Sequence, residues 1–452
     1  MIQNMEFHKY DKKIVFYWCI LLLNAVLFLV WPLAHTIALR KFLLLLAGIA
    51  GVVLLVKSKK RTEILTQPWL ILLGMLFAWV VFHAAFISQN GNEAWREFLG
   101  QWVPVYIAIL AGIGTGLAGS KVDEKWFAWL LLGCALALPG FYLIENLIKW
   151  MQVGYLPIGY MLPGEPNDVR AGTDLKMSLT FSLEMLVSFS CVKLLEYWKR
   201  TGKFTLRSVW VLPLVLALAV ASISLIKNFM LLLALNVALT LLVQGLRSGI
   251  LNMQRMLLGI VGLVLLSALV VNSSDTIHKF WQRSVSDTRI AWDIDHYQNW
   301  KNFVKFGLPQ NEYGEILSET YYLRLAYAHA GFRDALERPW GYGVSRKAME
   351  KIEQQKDSEV SLANAHNGYL NLSCAVGLPA LILFAMAMTT IFRELKRSSS
   401  KWATPAIWMT GFYLLHWALD PLERDHFFEM FMYVTALMLT MALLDKQKHD
   451  EH

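Results

Sequence analysis

The sequence predicts an all-α polytopic membrane protein of about 12 transmembrane helices with a large, partly helical loop on the face opposite its termini. Three observations carry that expectation. Hydrophobic residues make up 56% of the 452 and charged residues only 17%, more apolar side chain than a soluble domain can hide. The apolar residues fall in runs of about 17 to 25, the length at which a helix rising 1.5 Å per residue crosses roughly 30 Å of hydrocarbon. The basic residues stand in short blocks between these runs, where they mark cytoplasmic helix ends.

The first run, 14–34, ends at HTIALRK without a small-residue cleavage pattern and is followed at once by a second, so it reads as a retained first helix. The other candidate spans are 38–56, 68–86, 102–118, 126–148, 178–195, 209–226, 229–245, 256–272, 367–392, 404–420 and 428–444. With the N-terminus inside, the cytoplasmic segments carry Lys9, Lys12 and Lys13, KSKKR at 57–61, Lys121 and Lys125, and KRTGK with Arg207. They continue with Arg247 and Arg255, RELKR with Lys401, and Lys446 and Lys448. The loops on the other side are poorer in Lys and Arg, so both termini are placed in the cytoplasm.

Two segments on the far face are too long for simple turns: about 149–177, which contains LPGEPNDVRAGTDLK, and 273–366. The chain therefore divides into residues 1–272 with nine spans, the large loop 273–366, and residues 367–452 with three spans and a short cytoplasmic tail. Within the large loop, SETYYLRLAYAHAGFRDAL (Ser318 to Leu336) repeats apolar residues at helical spacing and breaks at Pro339, Gly341 and Gly343.

Several function classes are set aside. The net charge of +8 is accounted for by helix-end blocks, which removes the argument for nucleic acid. Cys19, Cys134, Cys191 and Cys374 lie in apolar runs without CxxC spacing and read as small hydrophobes. No Walker lysine in a Gly-rich loop stands on the cytoplasmic side. HxxxH and HExxH do not occur in the outer segments; Asp287 and the single D-x-D of Asp293 and Asp295 beside His296 read as a solvated patch, so no metal is expected.

The residues left with chemistry lie on the large-loop face. His366 stands where a polar cluster enters an apolar run, and an imidazole there can take a proton from a hydroxyl without permanent charge; an interfacial histidine without a role is the plainer alternative. Asn367 can hold a hydrogen-bonding substrate or cap the next helix. Arg170, Arg324, Arg333 and Arg338 offer guanidinium forks suited to phosphate oxygens, or ordinary surface ion pairs. Arg324 and Arg333 fall on opposite faces of a straight helix, which argues against their serving one phosphate. Lys227 reads as a tight outer turn with a snorkelling amine or as a positive charge for a lipid phosphate.

The portion from Arg324 through RDALERPWGYGV to HNGYLNLSCAVGLP resembles the O-antigen ligase and polymerase superfamily of bacterial inner membranes. Members show an arginine on a helix, a P-x-x-G-x-G turn, and an HN-x-x-L…G segment entering a membrane helix; here these are Arg324, Pro339 to Gly343, which is one residue shorter as P-x-G-x-G, and His366 to Gly377. The resemblance implies a GT-C-like, metal-independent, inverting glycosyltransferase with no cofactor. Its donor would be an undecaprenyl-diphosphate-linked glycan, and in the ligase branch its acceptor would be the lipid A–core oligosaccharide at the periplasmic face. It implies His366 as general base, Arg170 and Arg324 on the diphosphate, and Asn367 in support. Where many relatives carry an S-R pair in a mid-chain helix, this sequence has Ile226–Lys227. A polymerase extending glycan on its own carrier uses the same residues. A lipid-linked glycan flippase is the reading from another class, although one late 94-residue segment and no early counterpart is unlike two matching transporter halves.

Overall fold

The computed structural model describes residues 12–33, 35–154, 169–201, 210–224, parts of 230–243, 275–362, 365–421 and 425–450. The side chains of 169–176, 198–199, 275–281, 425 and 446–450 fall outside that description. The fold is all-α, with a single bridge between Gln310 and Ile316 in extended pairing among the described residues.

Eight helices among the described residues are long and apolar enough to cross a membrane. They are α1 (Lys12–Val30), α2 (Ile37–Lys57), α3 (Pro68–Ile87), α4 (Gly91–Gly119), α5 (Glu124–Val153), α6 (Val169–Thr201, apolar over Met177–Tyr197), α11 (Gly368–Arg397) and α13 (Asp425–Asp450, apolar over His426–Asp445). Eight replaces the expected twelve, and a GT-C-like architecture gains no support. Of the four other expected spans, 209–226 becomes α7, Val211–Ser224, with 14 residues, and 404–420 becomes α12, Ala403–Trp417, with 15; both fall short of the roughly 20 a span needs. The run 256–272 lies outside the described residues, and 229–245 lies partly outside them. The 404–420 run overreaches because Pro421 cannot continue a helix: the chain closes with Leu419 and Asp420 N–H groups both on the His416 carbonyl.

Helix ends follow from local chemistry. The Asp123 carboxylate accepts from the Lys125 and Trp126 N–H groups at the start of α5, and Gly154, in the left-handed region at φ 78°, closes it. In the middle of the bundle α4 packs on α2 and α13 through small residues. A Cβ on Gly114 would meet the Gly51 Cα of α2 at 2.3 Å, and one on Gly112 would meet the Tyr433 carbonyl of α13 at 2.2 Å. With Gly116 set against Thr440 one turn further on, this is close small-residue packing of the kind that joins helices in lipid, where there is no hydrophobic force between them.

A second core forms outside the bundle. It unites α8 (Asp275–Trp292), α9 (Glu319–Glu337), α10 (Ala348–Lys356) and the turns between them around Trp300, Tyr322, Tyr327 and Ile352. The Trp300 indole donates to the Ile294 carbonyl at 2.9 Å, and the Tyr322 hydroxyl donates to the Tyr297 carbonyl at 2.8 Å, so the buried polar atoms of these rings are partnered. This lobe docks on the α3–α4 turn: Val344 N–H reaches Ser88 Oγ, Ser345 Oγ reaches Glu93, Arg346 pairs with Glu97 at 2.9 Å, and Lys351 pairs with Glu93.

Candidate functional site

The Pro339–Gly343 turn and the glycine of α11 are two halves of one joint. Pro379 has no N–H for the Ala375 carbonyl, and Leu378 turns its N–H away to the Pro339 carbonyl at 2.8 Å. The freed carbonyls find other donors: Tyr342 N–H on Cys374, Gly343 N–H on Ala375, and the Trp79 indole on Val376. The exchange needs backbone against backbone. Gly377 sits at φ 84° inside the helix, and a Cβ there would meet the Trp340 carbonyl carbon at 2.6 Å; Gly341, at φ 81°, would meet the Ala375 oxygen at 2.6 Å. His83 Nε2 lies 2.7 Å from the Trp340 carbonyl and closes the joint from α3. The joint fixes where α9 ends relative to the start of α11, and so where Arg324 stands relative to His366.

At the start of α11, Asn367 is the helix cap: its Oδ1 accepts from Tyr369 and Leu370 N–H at 3.0 and 3.1 Å. Its amide Nδ2 donates to the Ala418 carbonyl at 3.1 Å. His366, half-buried beside it, adopts φ 49°. That left-handed backbone costs a non-glycine residue of order 1 kcal/mol and is a conformation held by its surroundings. Its imidazole lies parallel to the Tyr327 ring, 6° between planes and 6.2 Å between centroids. Tyr327 is 1% exposed, and burial pushes its hydroxyl well above the ordinary phenol range, which keeps the ring neutral beside the histidine.

Arg324 stands one turn before Tyr327 on the same face of α9. Its Nη1 donates to the Leu419 carbonyl and its Nη2 reaches Asp420 Oδ1 at 3.1 Å. Arg324 and Asn367 are thereby brought to consecutive residues of one turn, with His366 next to them. Arg333 is not part of that group: on the other face of α9 it pairs with Asp295 at 2.8 Å and lies near Glu353 and Glu337. Arg338 closes α9 with its N–H on the Asp334 carbonyl, its side chain half-buried. Arg170 is the second residue of α6, with its side chain outside the described set, and Lys227 lies outside the described residues. The acidic patch disperses: Asp287 accepts from Asn311, Asp293 caps the His296 N–H, and Asp295 takes Arg333.

Three residues of this neighbourhood escape the motif reading: Asp420, His416 and Glu184. His416 Nε2 is 3.1 Å from Asp420 Oδ2 and its Nδ1 is 3.2 Å from Glu184 Oε1. The signal for Glu184 was present, a carboxylate in the apolar run MSLTFSLEMLVSF, since an ionisable residue inside a membrane helix is rarely idle.

Fold and site together define a polytopic α-helical membrane protein whose second-core lobe brings an arginine to the start of a helix begun by a His-Asn pair. Residues 179–385 match the family model described as O-antigen ligase. The match covers less than half of the chain; it supports assignment to the O-antigen ligase/polymerase superfamily at the family level and, with it, an enzymatic role. It includes Arg324, the Pro339–Gly343 turn, His366 and Asn367, and leaves out Arg170 and the Ala418–Asp420 turn. No curated protein sequence matches the chain.

Proposed function

We propose that the protein is a glycosyltransferase that moves O-antigen glycan from an undecaprenyl diphosphate carrier to a hydroxyl of the lipid A–core oligosaccharide. The observation that carries this reading is the convergence of Arg324 and the His366–Asn367 pair on the Ala418–Asp420 turn. The family match adds its support.

A glycosyl diphosphate already carries a good leaving group, so the site has to sharpen the incoming hydroxyl and neutralise the charge that departs. His366 takes the acceptor's proton as that oxygen bonds to the anomeric carbon. The bond from this carbon to the diphosphate oxygen breaks, and its electron pair leaves with the diphosphate. Attack from the side opposite the leaving group inverts the anomeric configuration. Arg324 and Arg170 bind the diphosphate and balance its charge, the work a metal ion does elsewhere. Two of the five N–H donors of Arg324 are engaged by Leu419 and Asp420, which leaves three for phosphate oxygens. Asn367, Lys227, Arg333 and Arg338 are assigned to binding and not to chemistry. The site faces the periplasm from the bacterial inner membrane, with both termini in the cytoplasm.

The test is reconstituted transfer with purified protein, undecaprenyl-diphosphate glycan, lipid A–core and EDTA, comparing wild type with His366→Ala. Product from wild type and none from a folded variant supports the ligase. Chains that lengthen on their own carrier while lipid A–core gains nothing assign the protein to polymerisation, and glycan lipid that only crosses the bilayer assigns it to transport.

A further inference from the structure

Glu184 and His416 lie deeper in the protein than the residues given roles above. Glu184 is 3% exposed on α6 and His416 is 2% exposed on α12. Among the described residues neither oxygen of Glu184 has a well-aligned hydrogen bond, and the charge contact to His416 at 3.2 Å is what answers this carboxylate. An isolated buried carboxylate is costly, so the pairing is required for its ionised form.

The contacts run in series. Glu184 Oε1 lies against His416 Nδ1, His416 Nε2 lies 3.1 Å from Asp420 Oδ2, and the other oxygen of Asp420 takes Arg324 Nη2 at 3.1 Å. Both imidazole nitrogens thus sit beside a carboxylate oxygen. Only Nε2 is aligned for a hydrogen bond, to Asp420; Nδ1 meets Glu184 as a close contact and not as a hydrogen bond. Carboxyl, imidazole, carboxylate and guanidinium then follow one another from α6 through α12 and the turn after it to α9. Asp420 sits on a turn and is held from both sides, by His416 behind and Arg324 in front.

We infer that Glu184 and His416 are positioning residues: they fix the Asp420 carboxylate, and through it the Arg324 guanidinium, with its free N–H donors presented to the donor's diphosphate. The inference rests on the diphosphate-binding reading of Arg324. A long, flexible arginine held on one side only samples several rotamers, and ordering it on donor binding costs affinity. The series removes that cost beforehand.

The experiment is a double-mutant cycle read by binding. Full-length wild type, Glu184→Gln, His416→Gln, Arg324→Lys and the two double variants are placed in lipid nanodiscs, and the Kd of undecaprenyl diphosphate is measured. Glu184→Gln and His416→Gln are each expected to weaken binding about tenfold in the wild-type background and less than about twofold in Arg324→Lys, because the loss passes through the arginine. Equal losses in both backgrounds mean that the buried pair only holds helices together, and this overturns the inference, as does an unchanged Kd in the two single variants. If Arg324→Lys itself binds like wild type, the diphosphate reading of Arg324 falls, and the positioning role with it. Where His416→Gln does not fold, Glu184→Gln carries the test, since it replaces the carboxyl by an amide at nearly constant volume.

Discussion

Arg324 and Asn367 donate to adjacent carbonyls: the guanidinium to Leu419 and the side-chain amide to Ala418. One residue comes from the lobe built on the second core and the other caps a helix long enough to cross a membrane, and the turn they share belongs to neither. Position at this place is therefore set by three separate parts of the chain. Arg324→Lys retains charge but cannot bridge a carbonyl and a carboxylate as a planar fork does. Transfer is expected to fall about tenfold or more, with the protein still folded by melting temperature; activity near wild type would show that the fork has no part in the reaction.

His366 joins a proposed chemical role to an unusual backbone, and two substitutions separate them. His366→Ala and His366→Gly both remove the proposed base and should lower transfer by roughly 10²- to 10⁴-fold. They should differ in stability, because only glycine adopts φ 49° freely. The glycine variant is expected to be more stable by about 1 kcal/mol in a thermal or denaturant titration.

Asn367 serves with both ends of its amide. Asn367→Asp keeps the oxygen that caps α11 and loses the N–H that reaches Ala418, so stability should hold while transfer drops. Asn367→Ala loses the cap as well and should cost about 1 kcal/mol of stability. Indistinguishable activity of the aspartate variant and wild type would remove the Ala418 contact from the mechanism.

The joint between Pro339–Gly343 and α11 tolerates no side chain at its centre. Gly377→Ala and Gly341→Ala each place a Cβ 2.6 Å from backbone atoms at a positive φ, so each should loosen the lobe from the bundle. The expected readout is faster proteolysis of the lobe and a lower melting temperature. Trp79→Phe, which deletes the hydrogen bond to Val376 and shrinks a ring packed on His83 and Trp340, should cost about 1 kcal/mol or more.

On the far face of α9, Asp334 is fully buried and shares Lys356 with Glu353 and Glu337. Burial, with the neighbouring Glu353, pushes its carboxyl up to about 7 despite the lysine. A carboxyl raised in the folded state binds its proton there at pH values where the unfolded chain has released it. Stability therefore falls as pH rises from about 4 to about 7. Lys356 is raised by the same cluster and titrates above this window, while Glu337 is lowered by Lys356. Asp334→Asn should flatten the pH dependence of lobe melting between pH 5 and 7.5, and an unchanged slope would assign that dependence to another group.

The membrane character and the all-helical class were legible in the sequence because they depend on composition and on the length of apolar runs. The number of spans was not. A run measures how much chain could enter lipid, and it does not say where a helix stops: Ala403–Trp417 ends early because Pro421 forbids continuation and the turn before it is held by Arg324. The site was legible in the same partial way. Arg324, His366 and Asn367 stood out by residue type and local motif, and so did the glycines at 341, 343 and 377.

By itself, then, the sequence determined what is local: the helical and apolar character, the cap at Asn367, the break at Pro339 and the opposed faces of α9. Only the tertiary structure decided that Arg324 and Asn367 meet at Ala418–Asp420, that Gly341 faces Gly377, and that Glu184 stands behind His416. Each of these contacts joins segments far apart in the chain. Periodicity and spacing describe neighbours along the backbone, whereas such contacts exist only once helices have packed.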